Sequence, residues 1–274
     1  MLLPMQVRNL KFAVGDRTPR VWHPAGRAVT LFFDNLSVFF PAGETFFITS
    51  VKAFRDRVER GSALDDEVKG FTAQEGMHSR EHRRYNAMLV EQGFPVVDME
   101  KRVERILDFA RRLPKRWQLS ATCALEHFTA LLADYLLGDP RLLEGADPVM
   151  SALWKWHAAE ENEHKAVAYD VYRLVGAPYP ERVAVMIGAS LIFWAKIVEQ
   201  QARMMRADGI LWDAGEWRKL LHFLLVEPGG FGNVFRLYLA YYRPDFHPWQ
   251  HDNRALLEAW KRELAQNPAY LSAA

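Results

Sequence analysis

The chain has 274 residues, half of them apolar, which is ample material for a sizeable core. Lysine and arginine number 35 against 34 acids, a near-neutral balance that argues against nucleic acid or an anionic membrane surface as the main partner. The single cysteine, Cys123, excludes an internal disulfide and any multi-cysteine metal site.

Residues 1–30 open without a long apolar run and are broken by Asp16, Pro19, Pro24 and Gly26. They read as an arm wrapped over the remainder, with a short strand at residues 7–14, and a cytoplasmic location is expected. Residues 30–40 are aromatic (Phe32, Phe33, Phe39, Phe40) and suit a turn or two of helix. Pro41 is then placed to open a helix over residues 41–60, because a first-turn proline gives up an amide that has no helical partner. Glu44 falls in the first turns of that helix, where the helix dipole alone would favour an acid.

Residues 64–92 form the next helix, stopped by Gly93 and Pro95. Its stripe of Val68, Phe71, Glu75, His78, His82, Tyr85 and Leu89 places ligand-type side chains on the face that should meet the core. Burying them there is costly unless something satisfies them, and a metal ion would. Residues 97–112 read as an amphipathic connecting helix between two halves of a bundle. In the helix at residues 116–137, Glu126 is the only acid on a face of small and apolar residues, which leaves room for a substrate. His127, about 100° further round, reads as a supporting or surface residue.

Asp147-Pro148 opens a helix expected to run to about residue 176. Further helices are expected at 181–208, 217–226, 231–242 and 253–265. The most apolar stretch, residues 183–198, contains Gly188, Ser190 and Lys196 and is short for a bilayer span. His222, His247 and His251 lack partner spacing and read as structural. These C-terminal helices, with nine Trp and 17 Phe in the chain, are expected to wall a hydrophobic pocket. Core thickening or a homodimer interface are the alternatives.

The chemistry-bearing pattern is a repeat. His157, Glu161 and His164, at spacings of four and three, fall within roughly 60° of one another on a helix face. Glu75 and His78 make the same Glu-x-x-His turn upstream. With Glu44 and Glu126 the order is Glu, Glu-x-x-His, Glu, Glu-x-x-His, one set on each of four helices. That is the ligand set of a carboxylate-bridged dinuclear site in a ferritin-like bundle. Glu160, four residues before His164, also borders the inward face, while Glu163 points away. The fold expected is therefore all-α: a ferritin-like four-helix bundle with additional C-terminal helices, forming a single domain (arm 1–30, bundle 41–176, C-terminal helices 181–266).

Gly43-Glu44-Thr45-Phe46-Phe47, Gln74-Glu75-Gly76-Met77-His78 with His82 and Asn86, Leu125-Glu126-His127, and Trp156-His157 through Glu161-Asn162-Glu163-His164-Lys165 resemble the bacterial family called predicted metal-dependent hydrolases. The resemblance covers roughly residues 30–245. The ligand order also resembles that of the di-iron arylamine N-oxygenases, whose His-x-x-x-Glu-x-x-His pattern contributes an additional iron ligand at its first His. By that resemblance His157 is favoured over His82 as a seventh ligand.

Four carboxylates and two or three imidazoles are hard to borderline donors that suit two iron ions, with manganese, a mixed Mn/Fe pair or zinc as alternatives. The expected ligands are Glu44, Glu75, His78, Glu126, His157, Glu161 and His164, with His82 and Glu160 in support and no side chain required as acid or base. The expected function is a non-haem oxygenase or oxidase that uses dioxygen and an external electron donor on a hydrophobic or aromatic small molecule. The alternative is two-metal hydrolysis. Iron storage fits poorly with the extra C-terminal helices.

Overall fold

A computed structural model describes residues 5–229 and 231–266. Among them there is no strand, and the helices are α1 (Arg27–Lys52), α2 (Ala63–Glu91), α3 (Val96–Arg111), α4 (Lys115–Gly138), α5 (Pro148–His164), α6 (Val167–Leu174), α7 (Tyr179–Ala207), α8 (Ala214–Leu225), α9 (Phe231–Ala240) and α10 (Arg254–Gln266). α1 packs along α2 and α4 along α5, while α7 lies against both α1 and α4. The all-helical expectation is met.

Three local expectations are corrected. Residues 7–14 are not a strand: with no described strand to pair with, they form an arm without regular secondary structure. The arm is fixed by Leu10 and Phe12 entering the core and by the Phe12 amide donating to Glu81 Oε2 at 3.0 Å. Pro41 does not open a helix but sits inside α1. A helix-interior proline costs about 3 kcal/mol. The apolar and aromatic run that includes Leu31, Phe32, Phe33 and Val38 buries enough surface to keep the helix continuous across it. Glu44 is therefore mid-helix and beyond the reach of the N-terminal dipole. Finally, the helix that begins at Pro148 turns at Lys165–Ala166, just after His164, rather than running unbroken to residue 176. There the Lys165 ammonium is held by the Asn253 side chain and the His251 carbonyl, each at 2.8 Å.

Helix ends follow local chemistry. Ser62 caps α2 by accepting from the Asp65 amide at 3.2 Å, and Asp147 caps α5 through the amides of Val149 and Met150. α7 is the one described helix long and apolar enough to cross a membrane.

Candidate metal centre

The apolar core is divided at one level across the bundle. α1 buries Leu36 and Val38, then Phe46 and Phe47, with Glu44 between the two groups. α2 buries Val68 and Phe71, then Tyr85 and Met88, with Glu75, His78 and His82 between. α5 and α6 bury Trp156 and Ala159, then Val167, with residues 160–164 between. Glu126 enters this layer from α4. Glu44, Glu75, His78, Glu126, His157, Glu161 and His164 are each 3% exposed or less. Metal-ligating atoms of Glu44, His78 and His157 lie within 4.8 Å of one another, as do those of Glu75, Glu126 and His164, and those of Glu75, His78 and Glu161. His78 and Glu75 each belong to two of these groups, so the seven residues expected from the sequence form one cluster.

Each imidazole has one nitrogen fixed outside the cluster. His78 Nε2 donates to Glu160 Oε2 at 3.1 Å. Gln74 donates its amide to Glu163 and to the Gln6 carbonyl, which leaves its Oε1 to accept from His164 Nδ1 at 3.0 Å. The third chain is longer. Asn86 donates to Glu100 at 2.9 Å, so its Oδ1 accepts from Ser37 at 2.8 Å, and Ser37 in turn accepts from His82 Nδ1 at 2.9 Å. Neutral His82 is then left with an acceptor at Nε2, to which His157 Nδ1 donates at 2.9 Å. In the neutral rings this leaves a lone pair on His78 Nδ1, His157 Nε2 and His164 Nε2, all facing the carboxylates.

Those three nitrogens have no hydrogen-bond partner, and neither do Glu44 Oε1, both oxygens of Glu75 and Glu126, or Glu161 Oε2. His157 Nε2 stands 3.2 Å from Glu161 Oε1, and His164 Nε2 3.3 Å from Glu75 Oε1. Lone pairs facing lone pairs at this depth require a cation or protons between them. Protons fill that role in the metal-free protein. Burial and the neighbouring Glu75 carboxylate push Glu44 and Glu126 well above the usual carboxylate range. Burial opposes charge on His78, yet the Glu160 and Glu161 carboxylates outweigh it and raise the ring to about 10. Burial and the nearby His78 lower His157 to about 4.

His82 is not aimed into the cluster; it orients His157. Glu160 likewise sits behind His78, where its other oxygen accepts from Arg8 at 3.1 Å. Arg8 also bonds Glu163 at 2.8 and 2.9 Å, so the N-terminal arm supplies a cation to two buried carboxylates. Nothing in the sequence pattern around Arg8 marks that role. Gln74 belongs to the motif that carries Glu75 and His78, whereas Ser37 has no sequence signal. His127 is neither supporting nor on the surface: it is buried against the rings of Tyr241 and Phe246, with burial lowering it to about 3. His247 and His251 pair with Asp170 and Asp134, each at 2.9 Å.

The family model described as predicted metal-dependent hydrolase matches residues 6–252, from the arm that carries Arg8 to the loop before α10. The chain belongs to that family. Neither a curated protein nor a solved structure matches it. Two cavities adjoin the cluster. One of about 90 Å³ touches His157 and Glu161 and is closed partly by Phe223 of α8. The other, about 320 Å³, reaches Glu44 and runs between α1, α3, α4 and α7. They share Phe39, Phe40, Thr129 and Phe193. Of the C-terminal helices, α7 lines both cavities and α8 lines the smaller.

Proposed function

We propose that this chain is a dinuclear metal enzyme acting on an apolar small molecule, and that its reaction is hydrolysis, as its family's description favours. The supporting observation is the buried lone-pair layer: nine unpartnered oxygens and nitrogens on seven side chains, with no lysine or arginine among them. Glu44, Glu75, His78, Glu126, His157, Glu161 and His164 would hold the ions, and four carboxylates balance the charge of two divalent cations. When bound, two such ions supply Lewis-acid activation of water and of a carbonyl or phosphoryl oxygen. The chain's own part is to fix three imidazole tautomers through Glu160, His82 and Gln74 and to hold the substrate against Glu44 in an apolar cavity.

A second reading, oxidation of the apolar molecule with dioxygen and an external electron donor, rests on a different observation. Glu44 and Lys196 are the charged residues lining the larger cavity, so its walls offer little to protonate a leaving group. The carboxylate-rich donor set suits iron, and the helix order suits a ferritin-like bundle.

The test is metal analysis of protein purified without added metal, then two arms. Anaerobic turnover of an aromatic ester, released by zinc- or manganese-loaded protein and absent after chelation, supports hydrolysis. No ester turnover, with a transient absorbance when ferrous-loaded protein meets air, overturns hydrolysis in favour of the second reading. Protein that binds no divalent ion overturns both.

A further inference from the structure

The two cavities follow one seam between α1 and α4. Along α1 the smaller is lined from Phe32 to Phe40 and the larger from Phe39 to Phe47. Along α4, which runs the other way, the larger is lined from Trp117 to Thr129 and the smaller from Thr129 to Leu136. At 1.5 Å of rise per residue the seam is about 20–30 Å long. The cavities meet at Phe39, Phe40, Thr129 and Phe193. That junction lies at the level of the metal-ligand layer: Phe40 stands one turn before Glu44, and Thr129 one turn after Glu126. The Phe40 ring centre is 4.3 Å from that of His157. Glu44 lines the larger cavity and His157 the smaller, yet their ligating atoms lie within 4.8 Å of one another. The cavities therefore approach the same group of ligating atoms from two sides.

Neither side offers a partner to a charged group. Apart from the ligands themselves, the one charged residue on the walls is Lys196, which is already paired with Glu199. The wall hydroxyls are also engaged: Tyr135 donates to the Gly229 carbonyl at 2.7 Å and Thr129 to the Glu126 carbonyl at 3.1 Å. The two sides differ in size. A cavity of roughly 150 Å³ accepts benzene, so about 320 Å³ accommodates a fused aromatic pair, and about 90 Å³ roughly three or four non-hydrogen atoms. Phe39, Phe46, Phe109 and Trp117 give the larger side aromatic walls.

We propose that the substrate is an uncharged, unsymmetrical ester that lies across the junction, with a bulky aromatic arm in the larger cavity, a short alkyl arm in the smaller, and its carbonyl at the ligand layer. This rests on the hydrolysis reading and names the substrate class for it. Cleavage consumes one water: its hydroxyl joins the acyl carbon as the carbon–oxygen single bond breaks, and its other hydrogen goes to the alcohol oxygen. The acid and the alcohol are then left in separate cavities, each shaped for one arm.

The test is calorimetric binding of 2-naphthyl methyl, propyl and phenyl ketones to the metal-free full-length protein. Ketones keep the carbonyl and both arms but have no carbon–oxygen single bond to break, so the outcome does not depend on metal loading or turnover. The propyl ketone should bind about fifteenfold more tightly than the methyl ketone, the effect of two buried methylenes, and the phenyl ketone more weakly than the propyl. Gly188 lines the larger cavity, and a Cβ built there meets nothing within 4 Å. Gly188→Leu should therefore weaken the methyl and propyl ketones alike, by about tenfold or more, without lowering the melting temperature. Ala133→Leu, on the wall of the smaller cavity, should erase the gain from methyl to propyl. Leu224→Ala, which enlarges that cavity instead of filling it, should admit the phenyl ketone. The proposal is overturned if no ketone binds, if propyl gains nothing over methyl, if phenyl matches propyl in the wild type, or if folded Gly188→Leu or Leu224→Ala protein binds as the wild type does. None of these results touches the hydrolysis reading, which fails on metal analysis and ester turnover.

Discussion

Arg8 offers the sharpest test of how the site is built. It is 7% exposed, it bonds Glu160 and Glu163 between 2.8 and 3.1 Å, and its guanidinium lies 5.0 Å from the centre of the Trp260 ring. Arg8→Ala removes a guanidinium that two buried carboxylates share. Glu163 keeps Gln74 at 2.9 Å and Lys261 at 3.5 Å, whereas Glu160 keeps only His78. Breaking a buried pair by deleting one partner costs about 3–5 kcal/mol, and the partners that remain place this case at about 3 kcal/mol. With an unfolding entropy of about 2.1 cal/mol/K per residue over 274 residues, that is a fall of about 5 °C in melting temperature. Differential scanning calorimetry of the metal-free protein measures it. Adding Glu160→Gln and Glu163→Gln to Arg8→Ala removes the stranded charges and should recover much of the loss. A single variant that melts with wild type, or a triple variant no better than the single, would refute the claim that the arm neutralises the layer behind His78.

Three further outcomes are expected. Glu126→Ala or Glu161→Ala should lose at least one metal ion by elemental analysis, and full two-ion occupancy in either variant counts against their roles as ligands. His82→Ala should keep the ion count yet weaken affinity about 10–100-fold, because it frees the tautomer of His157, while His157→Ala should alter the count or the coordination seen by X-ray absorption. Metal binding should release protons: Glu44, Glu126 and His78 all hold protons above their ordinary values in the metal-free protein and must lose them to ligate. Affinity should accordingly rise with pH, most steeply up to about 10, where His78 gives up its proton; calorimetry in buffers of different ionisation enthalpy reads the proton count, and an affinity independent of pH would contradict this.

Helix periodicity and residue chemistry are local, and the sequence by itself determined what depends on them. Glu75, His78, Glu126, His157, Glu161 and His164 occupy faces fixed by spacings of three and four, so their convergence into one buried layer is legible in the sequence alone. The all-helical class follows from the same periodicity. The tertiary structure decided the rest. Whether Pro41 starts a helix or is carried inside one depends on apolar burial on both sides of it, which local propensity does not contain. The choice between His82 and His157 turns on a relay through Ser37, Asn86 and Glu100 that joins three helices. Arg8 reaches Glu160 and Glu163 across more than 150 residues. Such contacts leave no periodic trace in the chain, because their partners are set by packing rather than by spacing.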